Sequence, residues 1–115
     1  MRANEFLIEY AISTWKEGSI TVKVESHVKD QASTRLIPWK DVIRIFKRIG
    51  YVKPKLYQMA NFEKFYLRDS RTEVELGCRF RFTSHDNDRE ALLTIMTVVS
   101  RAEVRHSETP TILVN

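Results

Sequence analysis

The chain has 115 residues, of which 43% are hydrophobic and 30% are charged, and its formal net charge at pH 7 is +4. A chain of this length forms one domain, residues 1–115, that folds without help from metals or disulfides. It has no apolar run near the roughly 18 residues that a membrane span needs. Its single cysteine, Cys78, excludes an internal disulfide and a cysteine-based zinc site, and it suits a reducing cytoplasm. We therefore expect a cytoplasmic protein with no membrane partner.

The N-terminal segment, residues 1–15, predicts a short amphipathic helix, with Phe6, Leu7 and Tyr10 on one side. It also resembles the capsid-targeting segment of internal proteins that T-even-type bacteriophages package. That segment runs Met, a basic residue, then Glu-Phe-Ile-x-Glu, and the prohead protease cuts after a Leu/Ile-x-Glu triplet. The matching residues are Met1, Arg2, Glu5, Phe6, Leu7 and Glu9, with Leu7-Ile8-Glu9 as the triplet.

This resemblance spans roughly the first ten residues, and Leu7 stands where the family usually has Ile. It implies a phage-encoded protein that is delivered into the capsid, located in the host cytoplasm or the virion. The alternative is an ordinary amphipathic helix. In either case the activity of the remaining chain stays open.

A turn at residues 16–19 precedes a predicted first strand over residues 20–28, where Ile20, Val22, Val24 and Val28 alternate with polar residues. Residues 29–34 are predicted to form a polar loop. Pro38 suits a first helical turn and Gly50 suits a helix end, so the next helix is predicted over residues 38–49.

Two further strands are predicted to form a hairpin. The first covers residues 62–68, after a loop or edge at residues 51–55 that contains Pro54. Turn residues 69–71 lead into a strand over residues 73–82, the most regular alternation in the chain. Its inward series is Val74, Leu76, Cys78, Phe80 and Phe82, and its outward series is Glu73, Glu75, Arg79 and Arg81.

A second helix is predicted after Asn87, whose spacing from Glu90 fits a capping box. Its buried side is Ala91, Leu92, Ile95, Val98, Val99 and Ala102. Residues 111–114 form either a last edge strand or a tail. This order predicts a ferredoxin-like βαββαβ fold, an α+β domain with a four-stranded antiparallel sheet and two helices on one face. The alternative is another α+β arrangement in which the N-terminal segment joins the sheet.

The strand over residues 73–82 is then a central strand with one open face. That face does not match an RNA-recognition motif, because only Gly77 and Phe80 fit the expected pattern and Phe80 belongs to the inward series. We expect the open face to carry cross-strand ion pairs or to form the contact of a homodimer.

The clearest functional feature is a local excess of positive charge. Residues 35–55 contain seven cations and one acid, Asp41, so this stretch has a net charge of +6. Cations on one rigid surface can contact successive phosphates. The predicted nucleic-acid or polyanion site is Lys40, Arg44, Lys47, Arg48, Lys53 and Lys55. The corresponding function is a small non-catalytic binding module, and the alternative is a homo-oligomeric structural or assembly protein that pairs through the open face.

Catalytic patterns are weak, so no catalytic residue, cofactor or metal site is predicted. His27, His85 and His106 lack metal-ligand spacing. Three glycines allow no glycine-rich phosphate loop. Cys78 belongs to the inward series of the strand over residues 73–82, so it is predicted to be a core residue. The remaining enzymatic alternative is a metal-independent nuclease that uses His85 with nearby arginines.

Overall fold

The structure is a computed structural model that describes residues 14–83, 90–100 and 109–115. These residues form a single α+β domain with one six-stranded mixed sheet and three helices. The strands are β1 (Thr14–Glu17), β2 (Ile20–Val24), β3 (Phe65–Arg68), β4 (Val74–Phe82), β5 (Ala91–Ser100) and β6 (Thr111–Leu113), and the helices are α1 (His27–Thr34), α2 (Trp39–Phe46) and α3 (Lys53–Tyr57). The strand order is β1-β2-β5-β4-β3-β6. The α+β class is confirmed, but the ferredoxin-like arrangement is not.

The N-terminal part of the described chain joins the sheet, as the alternative arrangement anticipated. Strands β1 and β2 form an antiparallel hairpin. Gly18, in its two-residue turn, has a φ of 63° that glycine adopts without strain. Trp15 is buried, and its ring centroid lies 5.1 Å from that of Phe46. The predicted helix is therefore wrong at residues 14 and 15. The rest of it, with the Leu7–Glu9 triplet, lies outside the described residues.

The predicted first strand ends early, and the predicted polar loop is helix α1. Beyond the end of β2, the backbone of β5 has no neighbouring strand on that side among the described residues. Three side chains spaced one helical turn apart form hydrogen bonds to it instead, which favours a helix here. His27 Nε2 donates to Met96 O at 2.8 Å, and Arg35 Nη1 donates to Val98 O at 2.8 Å. Between them Gln31 Oε1 accepts from Val98 N at 2.8 Å. The polar residues of α1 thus replace a neighbouring strand.

The predicted second helix is wrong, because five of the six residues assigned to its buried side, from Ala91 to Val99, lie in strand β5. The sixth, Ala102, lies outside the described residues. β5 is parallel to β2 and antiparallel to β4, so it occupies the position between them. Ala91, Leu93 and Ile95 are buried in strict alternation. Gly77 pairs with Thr97, whereas Cys78 pairs with Ile95, so one extra residue forms a bulge in β5. The predicted capping residue Asn87 lies outside the described residues.

Strand β4 is central, as predicted. Its inward residues from Val74 to Phe80 are buried, while Phe82 at its end is 43% exposed. Glu75 is on the opposite face, also as predicted, but it is buried. Its Oε1 lies 2.6 Å from Arg68 Nε on the neighbouring strand, which is the cross-strand ion pair expected of this face. The edge strand near the C-terminal end of the chain is observed as β6, parallel to β3.

Helix α2 is shorter than predicted and is followed by more helical structure. A 3₁₀ turn, Ile49–Val52, leads directly into α3, so the region predicted to be loop or edge is helical. Pro54 occupies the first turn of α3, where its missing N–H is not needed. The inward side of α2 is buried against the sheet, as its periodicity predicted, through Val42, Ile45 and Phe46.

Candidate functional site

A basic pocket lies where the end of α2 meets the β3–β4 turn. Its volume is about 390 Å³. Its lining contains four cations and one aromatic ring: Arg44, Lys47, Arg48, Tyr51 and Arg71. Arg48 and Arg71 are exposed, and Tyr51 is 75% exposed. We refer to these five residues as the basic pocket.

One wall of the basic pocket is held by a buried carboxylate. Asp69 is 2% exposed, and its Oδ2 accepts a hydrogen bond from Arg44 Nε at 3.1 Å. Its Oδ1 accepts from the backbone N–H of Arg71 at 2.9 Å and from Asn115 Nδ2 at 3.1 Å. Asp69 therefore fixes the guanidinium of Arg44 and the backbone of Arg71 relative to each other. The ion pair uses Arg44 Nε, and the other guanidinium nitrogens add further donors at this wall.

The structure divides the predicted site between different surfaces. Arg44, Lys47 and Arg48 line the basic pocket. Lys40 is exposed one helical turn before Arg44 and is not part of the lining. The ammonium group of Lys53 lies over the β1–β2 turn, where a Cβ added to Gly18 would be 2.7 Å from its Nζ. Lys55 is exposed on α3, outside the lining.

Sequence reasoning missed two members of the basic pocket. Arg71 lies in the segment predicted to be a turn, and Tyr51 lies in the segment predicted to be loop or edge. Neither assignment could show that these residues meet the end of α2. The one available signal was Asp69 itself, since an aspartate in a turn accepts hydrogen bonds from backbone N–H groups two residues on.

The charges of the basic pocket favour an anionic ligand. Arg44, Arg48 and Arg71 bring three guanidinium groups to its lining, and the carboxylate beneath it, Asp69, offsets one of these charges. Guanidinium groups present planar forks of donors that match phosphate and carboxylate oxygens. Part of this charge has a structural explanation, because cations at the end of a helix interact favourably with its dipole. That explanation does not extend to Arg71, which comes from the hairpin.

Other chemistry is weakly represented in the described part of the chain. No group of three or more metal-ligating side chains is found there. Cys78 is a core residue, as predicted, and burial raises the pKa of its thiol, so the reactive thiolate form is disfavoured. No helix among the described residues is both long and apolar enough to cross a membrane. His85 and His106 lie outside those residues.

Comparison with known proteins adds no further constraint on this site. The chain matches no protein-family model, no curated protein and no solved structure. The arguments about its function therefore depend on its own residues.

Proposed function

We propose that this protein is a non-catalytic nucleic-acid-binding module that holds phosphate groups in the basic pocket. The observation that carries the proposal is the convergence of Arg44, Arg48 and Arg71 from two separate elements on one depression. Cations that served only solubility would be spread over the surface. Here the β3–β4 turn adds a guanidinium to a helix end that already has three cations.

The arrangement of the basic pocket supports phosphate as the ligand. The Asp69 contacts hold Arg44 in place before any ligand arrives, which reduces the entropy lost on binding. Tyr51 places an exposed ring beside the guanidinium groups, where it can contact a sugar or base. These contacts involve no base edge, so the expected binding is insensitive to sequence.

The proposal is tested by fluorescence anisotropy with a labelled 20-base-pair DNA duplex. Arg48→Glu combined with Arg71→Glu reverses two exposed charges of the basic pocket. The matched control is Lys53→Glu combined with Lys55→Glu, which changes the net charge by the same amount outside the pocket. We expect the pocket variant to bind about tenfold more weakly, or weaker still, because two phosphate contacts become repulsive. The control variant should lose less than about threefold, since charges outside the pocket make no phosphate contact there and are screened at physiological salt.

Equal losses in the two variants would show that binding follows net charge and would contradict the pocket. Unchanged affinity in the pocket variant would contradict it as well. Circular dichroism and thermal unfolding of both variants confirm that they are folded before affinities are compared. Competition with heparin distinguishes a general polyanion site, which heparin would occupy equally well, from one that prefers nucleic acid.

Homodimer formation through the open face of the sheet is a weaker candidate. Lys23, Arg79 and Arg81 are all exposed on that face. The carboxylate of Glu75 is buried against Arg68 rather than available to a partner. Two copies meeting face to face would bring like charges together. We therefore expect light scattering to show a monomer at high micromolar concentration. A dimer that is disrupted by Arg79→Glu would instead support homodimer formation through the open face.

The N-terminal resemblance leads to a separate proposal about processing. We infer that a prohead protease removes residues 1–9 by cutting after Glu9. The cut would leave four residues, 10–13, before Thr14, where β1 begins, so the hairpin that contains buried Trp15 would be retained. Mass spectrometry after co-expression with such a protease should find a chain that begins at Tyr10. An intact N-terminus would contradict this proposal.

A further inference from the structure

The basic pocket has the size of a site for one small ligand. Its volume of about 390 Å³ lies at the lower end of the range for small-molecule sites, about 300–1,000 Å³. A pocket of this size holds one group of a nucleic acid, such as a phosphate with its nucleoside, rather than a length of backbone. The donors around the pocket then decide which kind of phosphate binds best.

Guanidinium groups are the main donors of the basic pocket. Arg44 gives its Nε to Asp69 at 3.1 Å, and its two Nη groups are further donors. Arg48 and Arg71 are both exposed and line the same pocket. The lining among the described residues contains no acid. Lys47 also lines the pocket, but it already has an interaction of its own.

Backbone hydrogen bonds fix both walls of the basic pocket. On the helical side, the N–H of Tyr51 donates to the carbonyl of Arg48 at 3.0 Å. On the hairpin side, the N–H of Asp69 donates to the carbonyl of Val74 at 3.2 Å, and the N–H of Glu73 donates to the carbonyl of Asp69 at 3.1 Å. The segments that carry the arginines are therefore in place before a ligand binds, which reduces the entropy lost on binding.

A phosphate at the end of a strand differs from one within it. An internal phosphodiester has a single negative charge and two oxygens that are free to accept hydrogen bonds. A terminal phosphomonoester has a charge of nearly −2 at pH 7 and three such oxygens. The two groups therefore require different numbers of charges and donors from a binding site.

The basic pocket matches the phosphomonoester better. Its three guanidinium charges, less the one charge of Asp69, leave a formal charge of +2, which balances the dianion. A guanidinium can donate two parallel hydrogen bonds to a phosphate. Three guanidinium groups are therefore better satisfied by three acceptor oxygens than by two.

We propose that the basic pocket selects the phosphomonoester of a nucleotide, either at the end of a nucleic-acid strand or in a free nucleotide. This inference rests on the proposed function and names the group that the pocket prefers. Arg44, Arg48 and Arg71 hold the phosphate, and the exposed ring of Tyr51 in the same lining contacts the attached nucleoside. An internal phosphodiester binds at the same place but more weakly.

Fluorescence anisotropy with three thymidine dinucleotides tests this preference. Each carries fluorescein at its 3′ end, and its 5′ end is a hydroxyl, a phosphate or a methyl phosphate. The methyl phosphate adds a phosphate group that is a diester, so it separates the effect of a phosphomonoester from that of an extra phosphate. We expect the wild-type protein to bind the 5′-phosphate about tenfold more tightly than either of the others, because a hydrogen bond to a charged group contributes this factor or more.

The two charge-reversed proteins show where the preference arises. The pocket variant, Arg48→Glu with Arg71→Glu, should bind the three dinucleotides equally. The control variant, Lys53→Glu with Lys55→Glu, has the same net charge and should retain the preference. The inference is overturned if the wild-type protein binds the three dinucleotides equally or binds none of them. A preference that persists in the pocket variant would overturn it as well. Failure of the proposed function is recognised separately, as unchanged duplex binding in the pocket variant.

Competition distinguishes the two sources of the phosphomonoester. If thymidine 5′-monophosphate displaces the labelled 5′-phosphate dinucleotide as well as the unlabelled dinucleotide does, the ligand is a free nucleotide. Weaker competition by the monophosphate assigns the pocket to strand ends. Inorganic phosphate should compete more weakly than either, because it has no nucleoside to contact Tyr51. Equal competition by inorganic phosphate would contradict the selection of a nucleotide.

Discussion

Gly77 lies where β4 and β5 pack closely together, so the change in stability when it is replaced by alanine tests this packing. Gly77 is buried in the middle of β4 and pairs with Tyr66 on one side and Thr97 on the other. A Cβ added to Gly77 would lie 2.4 Å from Thr97 Cγ2 and 3.2 Å from Lys64 Cε. Lys64 is flexible and can move. Thr97 is held, because its Oγ1 donates to Gln31 Oε1 at 2.8 Å.

The size of the effect follows from these contacts. Forcing a methyl group into a packed site costs about 1–3 kcal/mol. Rotating Thr97 instead would sacrifice its hydrogen bond, worth about 1 kcal/mol. Alanine also reduces the entropy of the unfolded chain, which offsets about 0.4–1 kcal/mol. We expect Gly77→Ala to lower the free energy of unfolding by about 1–2 kcal/mol, or roughly 5–10 °C in Tm.

A second substitution identifies the cause. Thr97→Ser removes Cγ2 but keeps the hydroxyl that bonds Gln31, so Gly77→Ala should cost less than about 0.5 kcal/mol in that background. Urea unfolding followed by circular dichroism measures all four proteins of the cycle. If Gly77→Ala is neutral on its own, or if Thr97→Ser does not relieve it, the packing between β4 and β5 differs from that described.

Substitutions at three other positions test the remaining structural arguments by the same unfolding assay. Gln31→Leu should lower the free energy of unfolding by about 2 kcal/mol, because it leaves the backbone N–H of Val98 without an acceptor. Gln31→Glu retains the acceptor oxygens and should lower it by less. Equal losses of stability in the two variants would show that Gln31 does not act as the acceptor for Val98. Asp69→Ala should lower the free energy of unfolding by about 3 kcal/mol. Asp69→Asn should lower it by about 1–2 kcal/mol, since Asn keeps one acceptor oxygen and the charge of the half-exposed Arg44 is partly screened. If Asp69→Ala leaves the stability unchanged, Asp69 does not lie beneath the pocket as described. Burial raises the pKa of the Cys78 thiol above the value of about 8.5 that it has in the unfolded chain. The stability that the neutral thiol contributes is therefore present below that pH. As the pH rises further, the thiol ionises in the unfolded chain but not in the folded one, and the free energy of unfolding falls by about 1.4 kcal/mol per pH unit. Cys78→Ala should lack this part of the slope between pH 8.5 and 9.5, and identical slopes would contradict the burial argument.

The sequence predicted elements whose two faces differ clearly. Strand β4 alternates apolar and charged residues, and α2 separates its apolar and cationic sides, so both were found with only their ends misplaced. The buried acid Glu75 was assigned to the correct face but its burial was not expected, because that depends on Arg68 of the paired strand.

Strand β5 was mistaken for a helix for a physical reason. Its bulge inserts one residue between Ile95 and Val98, so the spacing of buried residues changes from two to three at that point. The series Ala91, Ile95 and Val98 then fits a helix as well as a strand. Its β-branched residues, including Thr94 and Ile95, are the local evidence that favoured a strand.

Helix α1 and part of the basic pocket were missed because they depend on distant contacts. Residues 29–34 of α1 were predicted to form a polar loop. In the structure, His27 and Gln31 of this helix and Arg35, which follows it, bond to a strand more than sixty residues away in the chain. Likewise, the cations of α2 were visible from sequence, whereas Arg71 joins them only because Asp69 ties the hairpin turn to Arg44. Such pairings between separate elements leave no periodic pattern.

The measurement that tests the central claim most directly is the salt dependence of duplex binding by the wild-type protein and the Arg48→Glu, Arg71→Glu variant. Each phosphate contact to duplex DNA contributes about −0.9 to the slope of log affinity against log salt. If both arginines contact phosphates in the basic pocket, the slope for the variant should be shallower by about 1.8. Parallel lines for the two proteins would show that these residues make no phosphate contact, and the basic pocket would no longer be the binding site.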